Sequence, residues 1–277
     1  MKNIVILYHA DCSDGFGGAY AAWKKFKNRA EYIAVRYSES LPENLAGKEV
    51  FMIDFCYSGA NLDYLLKNTK LTIIDHHIGA KEDVLKASSF VFELNNSGSV
   101  LAWKYFFPKK EAPKILLYVE DKDLWRWKLK ESDAIYERLS AEKKDFNIWD
   151  KFGKKLQDKN GFKELVKDGK ILVKFRENLL DEIIEKSFEV DFDGVRARVV
   201  NSSVFNSRVC NRLIKMGYSV GITWFSDGNR NIISLRSDGE TDVCELAKKY
   251  GGGGHKAASG FSLPLDSKFP WTRTSEL

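Results

Sequence analysis

Long apolar runs are missing from this 277-residue chain. No stretch approaches the ~20 residues that a membrane-spanning helix requires, which excludes a helical membrane protein. Met1-Lys-Asn-Ile-Val-Ile-Leu7 runs directly into a strand-like pattern, so no export segment is expected. Cysteine is scarce as well. Cys12, Cys56, Cys210 and Cys244 show no C-x-x-C spacing, which excludes a disulfide scaffold and a thiolate zinc site and fits free thiols in a reducing cytoplasm. Cys12 and Cys56 lie near candidate site residues, and small buried packing is the role expected of each. Charge of one sign is also lacking: 44 basic against 39 acidic residues leave a net +5, with a pI of about 8.8. That balance tolerates a phosphate-bearing partner and is too mild to argue for long-duplex binding.

What is present is enough hydrophobic residues (44%) to build real cores, in one large domain or two ordinary ones. The organising stretch is Leu71-Thr-Ile-Ile-Asp-His-His77. It is a short β-branched run that ends abruptly in a carboxylate and two imidazoles, the profile of a buried strand with polar chemistry at its carboxyl end. Three such side chains can share a cavity only if metal, substrate or water satisfies them, because burying them unpaired costs several kcal/mol. A strand-terminal turn with surface histidines is the competing reading of the triplet.

Two other strand-like runs end in the same way. Asn3–Tyr8 leads into His9-Ala-Asp-Cys-Ser-Asp-Gly15 and then an Ala-rich helix whose Gly15, Gly17 and Gly18 permit a tight turn and close backbone approach. Glu49–Asp54 closes on a carboxylate, and a further strand is expected over Glu31–Tyr37. A helix over Ala60–Lys67 precedes the Asp75 triplet. Taken singly, Asp11, Asp14 and Asp54 could be helix caps or turn residues. Together, His9, Asp11, Asp14, Asp54, Asp75 and His76 fall at one edge of a parallel sheet, where ligands bind in open α/β folds. Carboxylates crowded there call for a cation.

Helices are expected over Ser97–Phe107 and Ala112–Val119, followed by Glu120-Asp-Lys-Asp123. Asp121 is the first choice to complete the ligand set and Asp123 the reserve; a solvated helix end is the alternative. Glu131–Lys170 reads as amphipathic helices without chemistry, and Lys163–Lys186 as a long helical connector. A second α/β unit then follows: strands at Val195–Asn201, Tyr218–Trp224 and Asn231–Ser237, with helices at Asn206–Met216 and Asp242–Tyr250. It leads into Gly251-Gly-Gly-Gly-His-Lys256 and a strand over Ala258–Leu263. Backbone N–H groups of Gly253 and Gly254, with His255, Lys256 and Ser259, can wrap an anion, and Arg236 is a second phosphate-ligand candidate because its planar fork matches phosphate oxygens. Beyond Asp266 only Trp271 stands out, with no role assigned.

In this order the residues resemble a family. His9-Ala-Asp11-Cys-Ser-Asp14-Gly15, Asp54-Phe55, Asp75-His76-His77 and Asp121-Lys-Asp123, followed by a small domain containing Gly251–His255, look like the DHH phosphoesterase superfamily with its DHHA1 domain. The resemblance implies an N-terminal parallel-sheet domain (1–162), a helical linker (163–190) and a smaller C-terminal α/β domain (191–277). It further implies two divalent cations, Mn²⁺ first and Mg²⁺ as the substitute. By analogy His9, Asp11 and Asp54 hold one cation; Asp14 or Asp11, Asp54, His76 and Asp121 hold the other, with Asp54 as the bridge. Asp75 is then a support that orients His76 or His77, and His77 a proton donor to the leaving oxygen. Arg236 and His255 hold a terminal phosphate. The implied activity is hydrolysis of short RNA or DNA oligonucleotides or dinucleotides; the alternatives are adenosine 3′,5′-bisphosphate, longer single strands attacked from the 5′ end, or nucleotide binding without turnover. Assembly is left open, a homodimer among the options. One departure stands out: two residues, Cys12 and Ser13, separate Asp11 from Asp14, where the family commonly has one.

Overall fold

The computed structural model describes residues 2–10, 12–36 and 39–274. The chain divides into two units, Met1–Val173 and Lys174–Leu277. No helix among the described residues is long and apolar enough to cross a membrane.

Unit one is built on five parallel strands: β1 (Ile4–His9), β2 (Ala30–Val35), β3 (Glu49–Ile53), β4 (Lys70–Asp75) and β5 (Ser89–Phe92). Their spatial order is β2-β1-β3-β4-β5. Both faces are apolar, as strands buried on both sides must be. Val5, Leu7, Val50, Met52, Leu71 and Ile73 project to one face, against α2 (Gly59–Asn68) and α3 (Lys81–Val84). Ile6, Phe51, Ile53 and Ile74 project to the other, against α1 (Ser13–Phe26), α4 (Gly98–Phe106), α5 (Lys114–Asp123) and α7 (Phe146–Gln157). Between α5 and α7 lies α6 (Ser132–Ser140).

The strand order places the site. From β1 the chain goes outward to β2 and returns on the other side of β1 as β3, so the crossovers leave in opposite directions and open a crevice at the carboxyl ends of β1 and β3. His9 ends β1, and Asp54 follows directly on β3. The expected strand over Glu31–Tyr37 is seen as β2 through Val35; Tyr37 lies outside the described residues.

A 27-residue helix, α8 (Lys159–Glu185), carries the chain into unit two. There the seven-stranded sheet comprises β6 (Phe188–Phe192), β7 (Val195–Asn201), β8 (Val220–Ser226), β9 (Arg230–Ser237), β10 (Gly253–His255), β11 (Ala258–Pro264) and β12 (Trp271–Arg273). All neighbours pair antiparallel except β7 and β8, which the crossover helix α9 (Asn206–Lys215) makes parallel. The short α10 (Val243–Lys248) packs with Phe261 and Val220 in the unit's core. The tail that offers only Trp271 in sequence thus pairs with β6 as an edge strand.

Candidate metal centre

Four segments of unit one converge on the crevice. The first is the turn from β1 into α1. Cys12 is the N-cap of α1, its Sγ accepting from Gly15 N at 3.1 Å, and this sets Asp14 in the first turn, 1% exposed. Gly15 is obligatory here, since a Cβ would lie 2.3 Å from the His9 carbonyl oxygen. Cys12 Sγ lies 3.3 Å from His9 Nδ1 and donates to Asp54 Oδ2 at 3.0 Å; the His9 and Asp54 atoms are 3.8 Å apart. Asp11 lies outside the described residues.

The second segment is the end of β3. Asp54 is 2% exposed and adopts a left-handed backbone, φ 63°, held by Asp54 N donating to Ile74 O at 2.9 Å. A non-glycine residue in that region stores on the order of 1 kcal/mol or more, and such strain clusters at functional sites. The third is the end of β4. Asp75, fully buried, accepts from His76 N at 2.7 Å and His77 N at 3.2 Å and pairs with His77 Nδ1 at 2.7 Å, all through Oδ1. His76 is thereby turned inward: its Nε2 sits 3.3 Å from Asp54 Oδ1, 3.6 Å from Asp123 Oδ2 and 3.8 Å from Asp14 Oδ2.

The fourth segment comprises α5 and the loop entering α4. Asp121 does not join the cluster, contrary to the sequence expectation. Its Oδ1 accepts from Lys128 N at 3.0 Å, and its Oδ2 from Leu129 N at 3.1 Å and Ser132 Oγ at 2.5 Å, so the carboxylate fastens the turn after α5. Residues two apart on a helix point about 200° away from each other, and it is Asp123 that faces His76. Glu120 is the organiser of the loop: its Oε2 accepts from Ser97 N at 2.9 Å and Asn96 Nδ2 at 3.0 Å. This presents the amino end of α4 to the carboxylates, and Ser99 N donates to Asp14 Oδ1 at 3.1 Å. Gly98 fits only without a side chain, since a Cβ would stand 2.7 Å from Asp54 Cβ and 3.1 Å from Asp14 Oδ2.

Cys12, Ser97, Gly98, Ser99 and Glu120 are thus site residues that sequence reading passes over. The one available signal was Asn95-Asn-Ser-Gly-Ser99, small polar residues directly before an apolar helix. Cys12 is half-buried and touches His9 and Asp54, unlike the buried packing expected of it. Cys56 does pack inside.

Electrostatically the cluster is unbalanced. Burial, then the Asp54 and Asp123 charges, raise Asp14 well above the carboxylate range, and burial followed by Asp54 raises Asp123. Burial pushes Asp54 up too, but contacts with His76 and His9 and the His77 charge outweigh it and hold it low. Burial works against a charged His76, yet Asp54, Asp14 and Asp123 carry it up to about 9. Asp14 Oδ2, Asp54 Oδ1 and His76 Nε2 are buried with no hydrogen-bond partner. Each orphan of this kind costs about 1–3 kcal/mol. The groups of Asp14, His76 and Asp123 and of Asp54, His76 and His77, each with donor atoms within 4.8 Å of one another, fit a divalent cation held by carboxylate oxygens and imidazole.

In unit two, Arg236 Nη2 donates to Ser207 Oγ at 2.8 Å and Nη1 to Leu235 O at 2.8 Å, so part of its fork is engaged. Gly253 and His255 begin and end β10, with Gly254 at φ 142°; His255 and Lys256 are exposed, and Ser259 Oγ donates to His255 O at 2.7 Å.

Residues 206–271 match the DHHA1 domain. Along nearly its whole length the chain has the fold of proteins that share the DHH unit. One is a pGpG-specific phosphodiesterase, PggH, from Vibrio cholerae (TM-score 0.54, 14% identity, 96% of this chain and 94% of that one). Another is an exopolyphosphatase-related protein from Bacteroides fragilis (0.54, 12%, 97% and 88%). The chain carries a DHHA1 domain and shares its fold with these DHH-type proteins. The DHH/DHHA1 fold is shared also with RecJ from Thermus thermophilus, solved with Mn²⁺ (TM-score 0.55, 16%, 94% of this chain); the chain spans about half of RecJ, 49%. In sequence it is similar to protein R106 of Acanthamoeba polyphaga mimivirus, 29% identical over 287 residues, covering 94% of this chain and 67% of that protein. The Asp75-His76-His77 triplet that carries the DHH resemblance stands at the end of β4.

Proposed function

We propose that this chain is a divalent-cation-dependent phosphoesterase that hydrolyses phosphodiester bonds of short oligonucleotides or dinucleotides in the cytoplasm. The observation that carries the reading is that the buried Asp14 Oδ2 and Asp54 Oδ1 lie 3.8 and 3.3 Å from His76 Nε2 in the switch-point crevice, none of the three in a hydrogen bond. The fold shared with a phosphodiesterase acting on pGpG and with Mn²⁺-bound RecJ supports it.

Two cations, Mn²⁺ or Mg²⁺, would be held by this chain's residues: one by His9 and Asp54, with Asp11 as a further ligand, the other by Asp14, Asp54, His76 and Asp123. Asp54 would serve both. The chemistry that such ions supply when bound is neutralisation of phosphoryl oxygens and activation of water. Asp75 fixes His77 through Nδ1, which leaves the imidazole, a third exposed, as the group to protonate the leaving oxygen. In unit two, Arg236, His255, Lys256 and the backbone of Gly253 and Gly254 would take up a terminal phosphate, which limits substrates to short, end-recognised ones.

A panel of a dinucleotide, a long single strand, adenosine 3′,5′-bisphosphate and a bare phosphate ester, assayed with Mn²⁺, tests this. The dinucleotide is expected to be the preferred substrate, and Asp54→Asn to lower its turnover by on the order of 10³-fold, several kcal/mol of transition-state stabilisation. Full activity in Asp54→Asn, or preference for the bare ester, would overturn it.

A further inference from the structure

We infer that Cys12 is a metal ligand, giving one of the two cation positions a mixed sulfur, nitrogen and oxygen donor set from Cys12 Sγ, His9 Nδ1 and Asp54 Oδ2. This rests on the two-cation reading above and extends it to an asymmetric centre, since Asp14, Asp54, His76 and Asp123 offer only oxygen and nitrogen.

Geometry is the first ground. Ligand bonds of about 2.3 Å to sulfur and 2.0–2.2 Å to nitrogen and oxygen, opened to ordinary coordination angles, separate donor atoms by roughly 3–3.6 Å. The Cys12–Asp54 and Cys12–His9 separations, 3.0 and 3.3 Å, lie in that range, and the His9–Asp54 edge, 3.8 Å, lies just beyond it. The three atoms thus face one another closely enough to share one cation. The second ground is the identity of the cap. Ser, Thr, Asp and Asn are the effective N-cap residues, and a neutral thiol is a poor substitute. The cap bond from Gly15 N at 3.1 Å fixes the sulfur at the start of α1, where it faces His9 and Asp54. Exposure is the third: Cys12 and His9 are both only half-buried, so a cation can reach the sulfur and the imidazole.

The competing account is a neutral thiol donating to Asp54, and for the cation-free molecule it holds: burial, then Asp54 and Asp14, keep the thiol above its ordinary range. A coordinated thiol loses its proton outright. Bound through Cys12, a cation would thus take the sulfur as thiolate, with the S–H electron pair donated to the metal and the proton released to solvent. A soft thiolate then shifts this position toward Co²⁺, Zn²⁺ and Fe²⁺ relative to Mn²⁺ and Mg²⁺.

The test is a titration of the metal-stripped full chain with Co²⁺, read by absorption. Visible d–d bands report binding through any ligand; a near-ultraviolet sulfur-to-metal band reports thiolate. Wild type is expected to give both. Cys12→Ser, which keeps a good N-cap, is expected to keep the visible bands, lose the near-ultraviolet band and bind Co²⁺ on the order of tenfold or more weakly, with a smaller loss for Mn²⁺. Visible bands without the near-ultraviolet band in wild type, or the same band persisting in Cys12→Ser, overturn the Cys12 assignment and leave the two-cation reading standing. Failure of wild type to bind either metal sinks both. Should Cys12→Ser misfold, alkylation of wild type mapped by mass spectrometry decides: Mn²⁺ or Co²⁺ must protect Cys12 while Cys244, also half-buried, stays reactive, and equal labelling of Cys12 with and without metal overturns the assignment.

Discussion

At the scale of single residues, Asp121 and Asp123 separate two jobs that the sequence presents side by side. Asp121 holds three donors after α5, and Asp123 faces His76. Asp121→Asn should cost about 2 kcal/mol in denaturant unfolding, the loss of a charge-assisted bond, and leave Mn²⁺ affinity close to wild type. Asp123→Asn should do the reverse: unfolding within about 0.5 kcal/mol and Mn²⁺ affinity down by on the order of 10–100-fold. Isothermal titration and urea curves on the two variants check this, and the opposite pattern would return the ligand role to Asp121. The distinction was not legible beforehand because a pattern of two acids near a helix end does not say which one the helix turns inward. His9, Asp14, Asp54, Asp75 and His76 were legible as residues of one sheet edge, since each follows an apolar strand. Cys12 was not, because nothing local distinguishes a packed thiol from one aimed at two donors.

At the scale of elements, the amino end of α4 is pressed into the centre, and its fit depends on Gly98. A Cβ there meets Asp54 Cβ, Asp54 Oδ1 and Asp14 Oδ2 at 2.7, 2.9 and 3.1 Å. Gly98→Ala should therefore displace the helix end or both carboxylates, lowering Mn²⁺ affinity by about tenfold and stability by about 1–3 kcal/mol. Gly79→Ala, where a Cβ meets nothing within 4 Å, is the control expected to change neither. If Gly98→Ala binds and unfolds like wild type, the close approach is not real. Strands β1, β3 and β4 were readable from their β-branched runs and abrupt polar ends. The four-residue β5, Ser89-Phe-Val-Phe92, was not, being too short to separate from a loop by period; nor was β12, whose strand state depends on pairing with β6. The Gly251–Gly254 run reads as an anion cradle in sequence; in the fold Gly251 N caps α10 by bonding to Lys248 O at 3.0 Å, and Gly253 and Gly254 enter β10.

At the scale of the whole molecule, the centre is electrostatically costly without a cation: the buried Asp14 and Asp54 and the half-buried Asp123 crowd around His76, and burial with the mutual charges drives Asp14 and Asp123 toward protonation. Binding should thus be felt in global stability. With Mn²⁺ at about 100 times its Kd, the stabilisation is about 2.7 kcal/mol, and stripping the ion with a chelator should remove it. Calorimetry is expected to show that shift in wild type and none in Asp54→Asn; an equal shift in both would place the binding elsewhere. The left-handed backbone of Asp54 has a final bearing on how such a chain can change over time. Asparagine is the side chain that tolerates this conformation as well as aspartate does, and the two differ by one atom group and, in the genetic code, by a single base. Replacing Asp54 by Asn removes a buried negative charge without disturbing the turn. A single-base change at Asp54 would therefore test the centre's charge while leaving in place a residue that this backbone tolerates.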